Sequence, residues 1–252
     1  HEFDKGPGVL RSGLLDLAAF PVLGANITYA DEAELAGSKI LPYSIKTVRG
    51  QQVGIIGLTL ADTPYISSPG PNIVFSDPAA AAALAAGELE RQGVNKIIVL
   101  SHIGYAGDLE IARKTAGIDV IVGGHSHTLL GELADYGLAA KGPYPTVVRN
   151  EAGQTVLVVQ GWEWAKVLGE LQVGFDAEGQ VRSWKASPRL LVGDSWFRIY
   201  DLTGAEGKPV RVEFTRTAAG WKALESDGRT YSVEPPAERA AAHLAALEAL
   251  TA

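Results

Sequence analysis

Five histidines occur in the chain, at positions 1, 102, 125, 127 and 243, and three of them sit where ligand chemistry is expected. His102 follows Ser101 just after the run KIIVL (96–100), and His125 and His127 follow Gly123-Gly124 after the run IDVIV (118–122). Both runs have the composition of strands, and ligands in open α/β sheets bind beyond the carboxyl ends of the strands. Neutral imidazole is the commonest side-chain metal ligand, and a nitrogen–oxygen site without thiolate suits Zn, Mn, Fe or Co. On extended backbone the two imidazoles of His125-Ser126-His127 project to one side, about 6–7 Å apart at their bases. Such a pair can serve one ion or two adjacent ions, which two-metal hydrolases hold about 3.5–4 Å apart. The segment His1-Glu2-Phe3-Asp4 adds an imidazole with a carboxylate three residues on, an arrangement in which the acid fixes tautomer and charge.

The elements that must carry these residues are legible in outline. Residues 9–19 fit a helix and residues 20–27 a buried strand, and 43–48 and 53–58 read as strands joined by a turn at Arg49-Gly50. Asp77-Pro78 opens an Ala-rich helix, with Asp as N-cap and Pro at the first helical position, and Gly93 closes it. The runs 96–100 and 118–122 are apolar enough to predict cover on both faces, and a helix over 108–116 makes them parallel neighbours in a βαβ unit. Strand pairs follow at 146–150 with 155–160 and at 166–175 with 180–185, and residues 210–215, 221–225 and 230–233 extend the β region. An Ala/Leu helix over 235–252, which includes His243 as a solvated residue, ends the chain. This alternation predicts an α/β fold with a mixed sheet system and helices outside.

Composition removes whole classes of function. The formal net charge is -7, against the basic patch that nucleic-acid or membrane-surface binding needs. No stretch reaches the ~18 apolar residues of a membrane span. There is no Cys, which excludes disulfides, zinc-thiolate sites and thiol catalysis. Gly6, Gly8 and Gly13 follow no strand, so they are no dinucleotide fingerprint. Ser101 and Ser126 lack a base-and-acid partnership separate from the histidines. Trp162 and Trp164 are expected to pack in the core or at a sheet edge, and Glu163 between them to be exposed. The chain also has no Met, and its start therefore reads as the start of a fragment or processed piece.

Four motifs, HEFD at 1–4, LGAN at 23–26, LSHIG at 100–104 and GGHSHT at 123–128, come in the order and spacing of one family. Over about residues 1–190 the chain resembles the 5'-nucleotidase branch of the calcineurin-like metallophosphoesterases. The resemblance implies a four-layer αββα sandwich and two divalent metal ions, of Mn, Zn, Co or Fe. It implies that His102 and His125 bind one ion and His127 the other. His1 would contact the phosphate, Asp4 would orient His1, and Asn26 would support the substrate site. The implied substrate is a nucleotide or other phosphate ester, with neither nucleic acid nor membrane insertion involved, and the implied location is periplasmic or extracellular.

The family's D-x-H and GD motifs and the Gly-Asn of its GNHE motif have no counterpart here. Residues 1–195 are accordingly expected to be a partial catalytic domain, 196–234 a β-rich extension and 235–252 the start of a linker helix. The isolated piece is expected to be inactive. Related chemistries that share the motifs are cyclic-nucleotide or UDP-sugar hydrolysis and a sulfur-oxidation thiohydrolase. A binding module that has lost its metals is the non-enzymatic alternative.

Overall fold

A computed structural model describes residues 1–134 and 138–191 with their side chains, and the backbone of residues 195–203, 209–217, 220–225 and 230–232. In chain order it begins with α1 (Pro7–Leu10), running into a π-helical turn at Arg11–Leu15. The short strands β1 (Val22–Leu23), β2 (Ile27–Thr28) and β3 (Ile40–Leu41) precede the hairpin β4 (Tyr43–Val48) and β5 (Gln51–Thr59). Next come α2 (Thr63–Ile66), β6 (Val74–Phe75), α3 (Pro78–Arg91), β7 (Ile97–His102), α4 (Tyr105–Lys114) and β8 (Val120–Gly123). They are followed by β9 (Thr146–Arg149), β10 (Thr155–Gln160), β11 (Val167–Phe175) and β12 (Val181–Leu190). The strands β13 (Ser195–Thr203), β14 (Pro209–Thr217), β15 (Gly220–Glu225) and β16 (Thr230–Ser232) form an antiparallel sheet of their own. The helix expected over 235–252 lies outside the described residues, as does His243.

The central sheet has six strands in the order β4-β5-β7-β8-β10-β9. Its four inner strands are mutually parallel, and β4 and β9 close the two edges antiparallel. α3 and α4 connect the parallel strands and cover one face. Ala82, Ala85, Ala86 and Leu89 of α3 and Ile111 and Ala112 of α4 are buried there against Ile56, Val99, Ile121 and Val158. Short alanine side chains let α3 approach the sheet, and Leu89 fills the space above Gly54, where a Cβ would stand 2.6 Å from the leucine. Burying such a leucine contributes about 2–3 kcal/mol. The helix starts where local chemistry dictates, with the Asp77 carboxylate accepting from the N–H groups of Ala79 and Ala80.

On the opposite face the β11–β12 hairpin packs Leu171, Val173, Phe175 and Val181 on Val120, Leu157 and Ile98. That cover stops short of the carboxyl ends. Leu100 and Val122 remain 47% and 40% exposed, so β7 and β8 are not covered on both faces as their composition predicts. The predicted strand over 20–27 is likewise broken. Phe20 is 63% exposed, and the chain forms β1 and β2 separately because the Asn26 amide is tied into neighbouring backbone between them. The predicted helix over 9–19 is shortened to α1 and its π-helical turn.

Two buried acids set the response of this core to pH. Asp119 accepts from the Ile97 N–H at 2.8 Å, tying the start of β8 to the start of β7, and burial pushes its carboxyl up to about 7. Asp108 on α4 is fully buried with neither carboxyl oxygen hydrogen-bonded, and burial pushes it up to about 6. Each acid holds in the folded state a proton that the unfolded chain releases near pH 4, so stability falls as pH rises from about 4 through 7. Asp119→Asn keeps an acceptor for Ile97 and removes the charge. Its expected result is a protein more stable than wild type at pH 8 by on the order of 3 kcal/mol and little changed at pH 4. Thermal unfolding across that range measures it, and an unchanged pH slope would refute it.

Candidate active site

The parallel register brings four strand ends together. Thr59 pairs with His102, Leu100 with Val122, and Gly123 with Gln160, so β5, β7, β8 and β10 end at one edge of the sheet. His102 is the last residue of β7, and the loop after β8 carries His125 and His127. That loop is not extended. The Ser126 N–H donates to the Gly124 carbonyl at 2.8 Å, and His125 and His127 take φ values of 66° and 48°. A three-residue turn with positive φ at its centre is rare and strained for a residue with a Cβ. The expectation of two imidazoles projecting to one side therefore fails. His125 turns toward His102, with ring centroids 5.3 Å apart, and His127 turns toward Trp164, with centroids 5.8 Å apart.

The two glycines before the histidines are needed for contact. A Cβ on Gly123 would collide with the Asp108 carboxylate, and a Cβ on Gly124 would stand 3.0 Å from His102 Nδ1. The loop is held from two sides. Ser126 Oγ accepts from the Tyr105 N–H at 2.9 Å, satisfying a free donor at the start of α4. Gln160, 2% exposed at the end of β10, accepts from the Thr128 N–H and donates Nε2–H to the Gly124 carbonyl at 3.0 Å. The anchors at 124 and 128 thus bracket both histidines.

His1 and Asp4 form the pair that their spacing suggests, with Nδ1 hydrogen-bonded to Oδ2 at 2.7 Å. Ser67, just after α2, donates to the other Asp4 oxygen at 2.7 Å, so the acid is itself held in place. The His1 ring lies 6.5 Å from that of His102. Asn26 stands behind the site, 1% exposed. Its amide nitrogen donates to the carbonyls of Thr59 and Ser76, and its oxygen accepts from the Thr59 N–H. It clamps the end of β5.

Burial first, and then the neighbouring His125, hold the His102 imidazole below the ordinary histidine range. Both causes favour the neutral imidazole, the form that binds metal. Two imidazoles on one tetrahedral ion, each nitrogen about 2.1 Å from the metal, have ring centroids about 5 Å apart, so the 5.3 Å between His102 and His125 fits a shared cation. Among the described residues no three His, Cys, Asp or Glu side chains gather closely enough to complete a coordination shell. Beside His102 opens a cavity of about 440 Å³, lined by Phe3, Leu10, Leu23, Leu100 and Val122 together with Glu2.

Several residues at this edge were not apparent from composition and spacing. Gln160 closes a strand that is apolar from Val156 to Val159, and a buried amide at a strand end is a usable sign of a polar anchor. Ser67 carries no local signal, because its partner is 63 residues away. Glu163 departs from expectation: its side chain is 17% exposed and lies 3.1 Å from His127 Nδ1 and 2.6 Å from Lys166 Nζ. Trp164 is 76% exposed, while Trp162 packs beside Leu129, Leu133 and Val167, so only Trp162 takes the packing role predicted for both.

Over 197 residues the chain is 44% identical to a snake venom 5'-nucleotidase of Crotalus adamanteus, covering 77% of this chain and 33% of that protein. A solved 5'-nucleotidase precursor from Thermus thermophilus matches 76% of this chain and 37% of its own, with a TM-score of 0.72 and 52% identity. The chain belongs to the 5'-nucleotidase family. A second solved member, the NAD nucleotidase of Haemophilus influenzae, matches 99% of this chain and 44% of its own, with a TM-score of 0.77 and 34% identity. The mixed α/β architecture with helices flanking the sheets is that of these 5'-nucleotidase structures, in agreement with the fold class expected. No family model matches the chain. The chain spans about a third of the length of the curated relatives that it matches.

Proposed function

We propose that the protein hydrolyses nucleotide phosphate esters, as a 5'-nucleotidase does, at the edge where β5, β7, β8 and β10 end. The observation that carries this reading is the gathering there of His102 and His125 with the His1–Asp4 pair 6.5 Å from His102. His102 and His125 would hold one divalent cation and His127 would contribute to a second, and bound dications activate water and neutralise phosphoryl oxygens. His1 supplies the remaining positive charge. Its Nδ1 is engaged by Asp4, so Nε2–H is the group that faces a phosphoryl or leaving oxygen. Ser67 keeps the Asp4 carboxylate in register with the ring. Asn26 acts through β5, by fixing Thr59 beside His102.

The match to the NAD nucleotidase over 99% of the chain favours a second substrate for the same site, a dinucleotide pyrophosphate. The venom and precursor names of the relatives support an exported protein. Among the described residues no helix is long and apolar enough to cross a membrane.

Phosphate release from AMP by the intact protein with added Mn²⁺ is the test. Turnover is expected, with about two ions bound per chain. Cleavage of NAD to two mononucleotides before phosphate appears would add the dinucleotide. Release from no nucleoside monophosphate with Mn²⁺, Zn²⁺ or Co²⁺ would overturn the reading.

A further inference from the structure

We propose that Glu163 is a positioning residue for His127: its carboxylate, set against Nδ1, favours the tautomer protonated there and leaves Nε2 as the nitrogen offered to the site. Glu163 Oε2 stands 3.1 Å from His127 Nδ1. A neutral imidazole has one N–H and one lone pair, and an acceptor-only carboxylate beside Nδ1 selects the form protonated there. Carboxylates that orient histidine ligands in this way tune metal sites from outside the ligand set.

The carboxylate is not a loose surface partner. Its other oxygen is taken by Lys166 Nζ at 2.6 Å, and that ammonium lies over both the Trp162 and Trp164 rings, at 4.7 and 4.6 Å. Trp164 in turn meets the His127 ring edge-on at 5.8 Å. Lysine, glutamate, histidine and two indoles therefore form one closed set of contacts, which removes most of the freedom that makes exposed ion pairs weak.

The backbone supports the same conclusion. Trp162, Trp164 and Ala165 have φ values of 61°, 48° and 56°, and His127 across the gap has 48°. Non-glycine residues in this region are strained and persist only where surrounding structure holds them. Here the Lys166 N–H donates to the Glu163 carbonyl at 2.9 Å, the Leu191 N–H to the Lys166 carbonyl at 2.8 Å, and Leu129 bridges Gly161. The two strained loops are joined at their bases and meet at the Glu163–His127 contact.

The last step, that Nε2 receives a metal ion, rests on the proposed function, whereas the tautomer does not. The test is long-range ¹H–¹⁵N correlation on the metal-free intact protein, with His127 assigned from a His127→Gln variant. The expected result is a single Nδ1–H form in wild type. In Glu163→Gln the amide oxygen can take the same place against Nδ1, so that form should remain the major one. In Glu163→Ala the ring should move toward the Nε2–H form that free histidine prefers. Titration with Mn²⁺ should show binding about 10- to 100-fold weaker in Glu163→Ala, and an intermediate loss in Glu163→Gln. An Nε2–H tautomer in wild type, or one unchanged in Glu163→Ala, would overturn the proposal. Should wild type bind no Mn²⁺, the ligand reading fails while the tautomer still decides the role of Glu163.

Discussion

In the intact protein, His125→Ala is expected to lower kcat/KM for AMP by about 10³-fold and to lower the metal content, while the fold survives. Removal of one preorganised electrostatic group from a reacting centre costs about 10²–10³ in rate, and loss of an ion held partly by His125 adds to that. The ring sits 5.3 Å from His102, so its loss leaves that imidazole without its neighbour. The stability effect is smaller. Histidine at φ 66° already carries the strain of a side chain there, so alanine adds little to it, and the turn is held by bonds that do not involve the ring. Kinetics with AMP and a metal count per chain measure both effects. Activity within about tenfold of wild type would remove His125 from the site.

Gln160→Ala is expected to damage stability and activity together. The side chain is buried, and its removal leaves the Thr128 N–H and the Gly124 carbonyl without partners beside a new cavity. An unsatisfied buried group costs about 1–3 kcal/mol and the lost packing adds to it, so a loss of about 3–5 kcal/mol follows. For a chain of this size that corresponds to roughly 10 °C in Tm. His125 and His127 lie between the two anchors, so both imidazoles lose their placement. An error of about 1 Å in a reacting group costs about 10²-fold. Thermal unfolding and kcat for AMP are the measurements. A variant with wild-type Tm and kcat would show that the loop holds its shape without Gln160.

The two effects differ because His125 acts through its own atoms and Gln160 through backbone that it does not belong to. That difference also separates what the sequence reveals from what it conceals. α3 is legible because its signals are local: an N-cap aspartate, a proline and a closing glycine within one segment. The βαβ rhythm is legible because apolar runs and capped helices alternate, and the register of β7, β8 and β10 then brings His102, Gly123 and Gln160 to one edge. The His1–Asp4 pair is legible at a spacing of three residues.

Orientation is another matter. The i, i+2 spacing of His125 and His127 suggests one shared side, yet positive φ at both sends them to different neighbours. Trp164 and Glu163 exchange their expected environments for the same reason, because the strained turn at 162–165 exposes the indole and draws in the carboxylate. Leu100 and Val122 look like residues buried on both faces, but the hairpin that packs on their sheet ends at Ile98 and Val120.

The sequence by itself determined the α/β order, the strand ends that bear histidine and the family resemblance, because each is written in short-range pattern. Tertiary structure alone decided which nitrogen of His127 meets a carboxylate, what holds Asp4, and that a glutamine from β10 brackets the histidine loop. Those contacts join residues from 32 to 63 positions apart, such as Gln160 with Thr128 and Ser67 with Asp4. No local preference encodes them. They exist only once the sheet has brought its strand ends side by side.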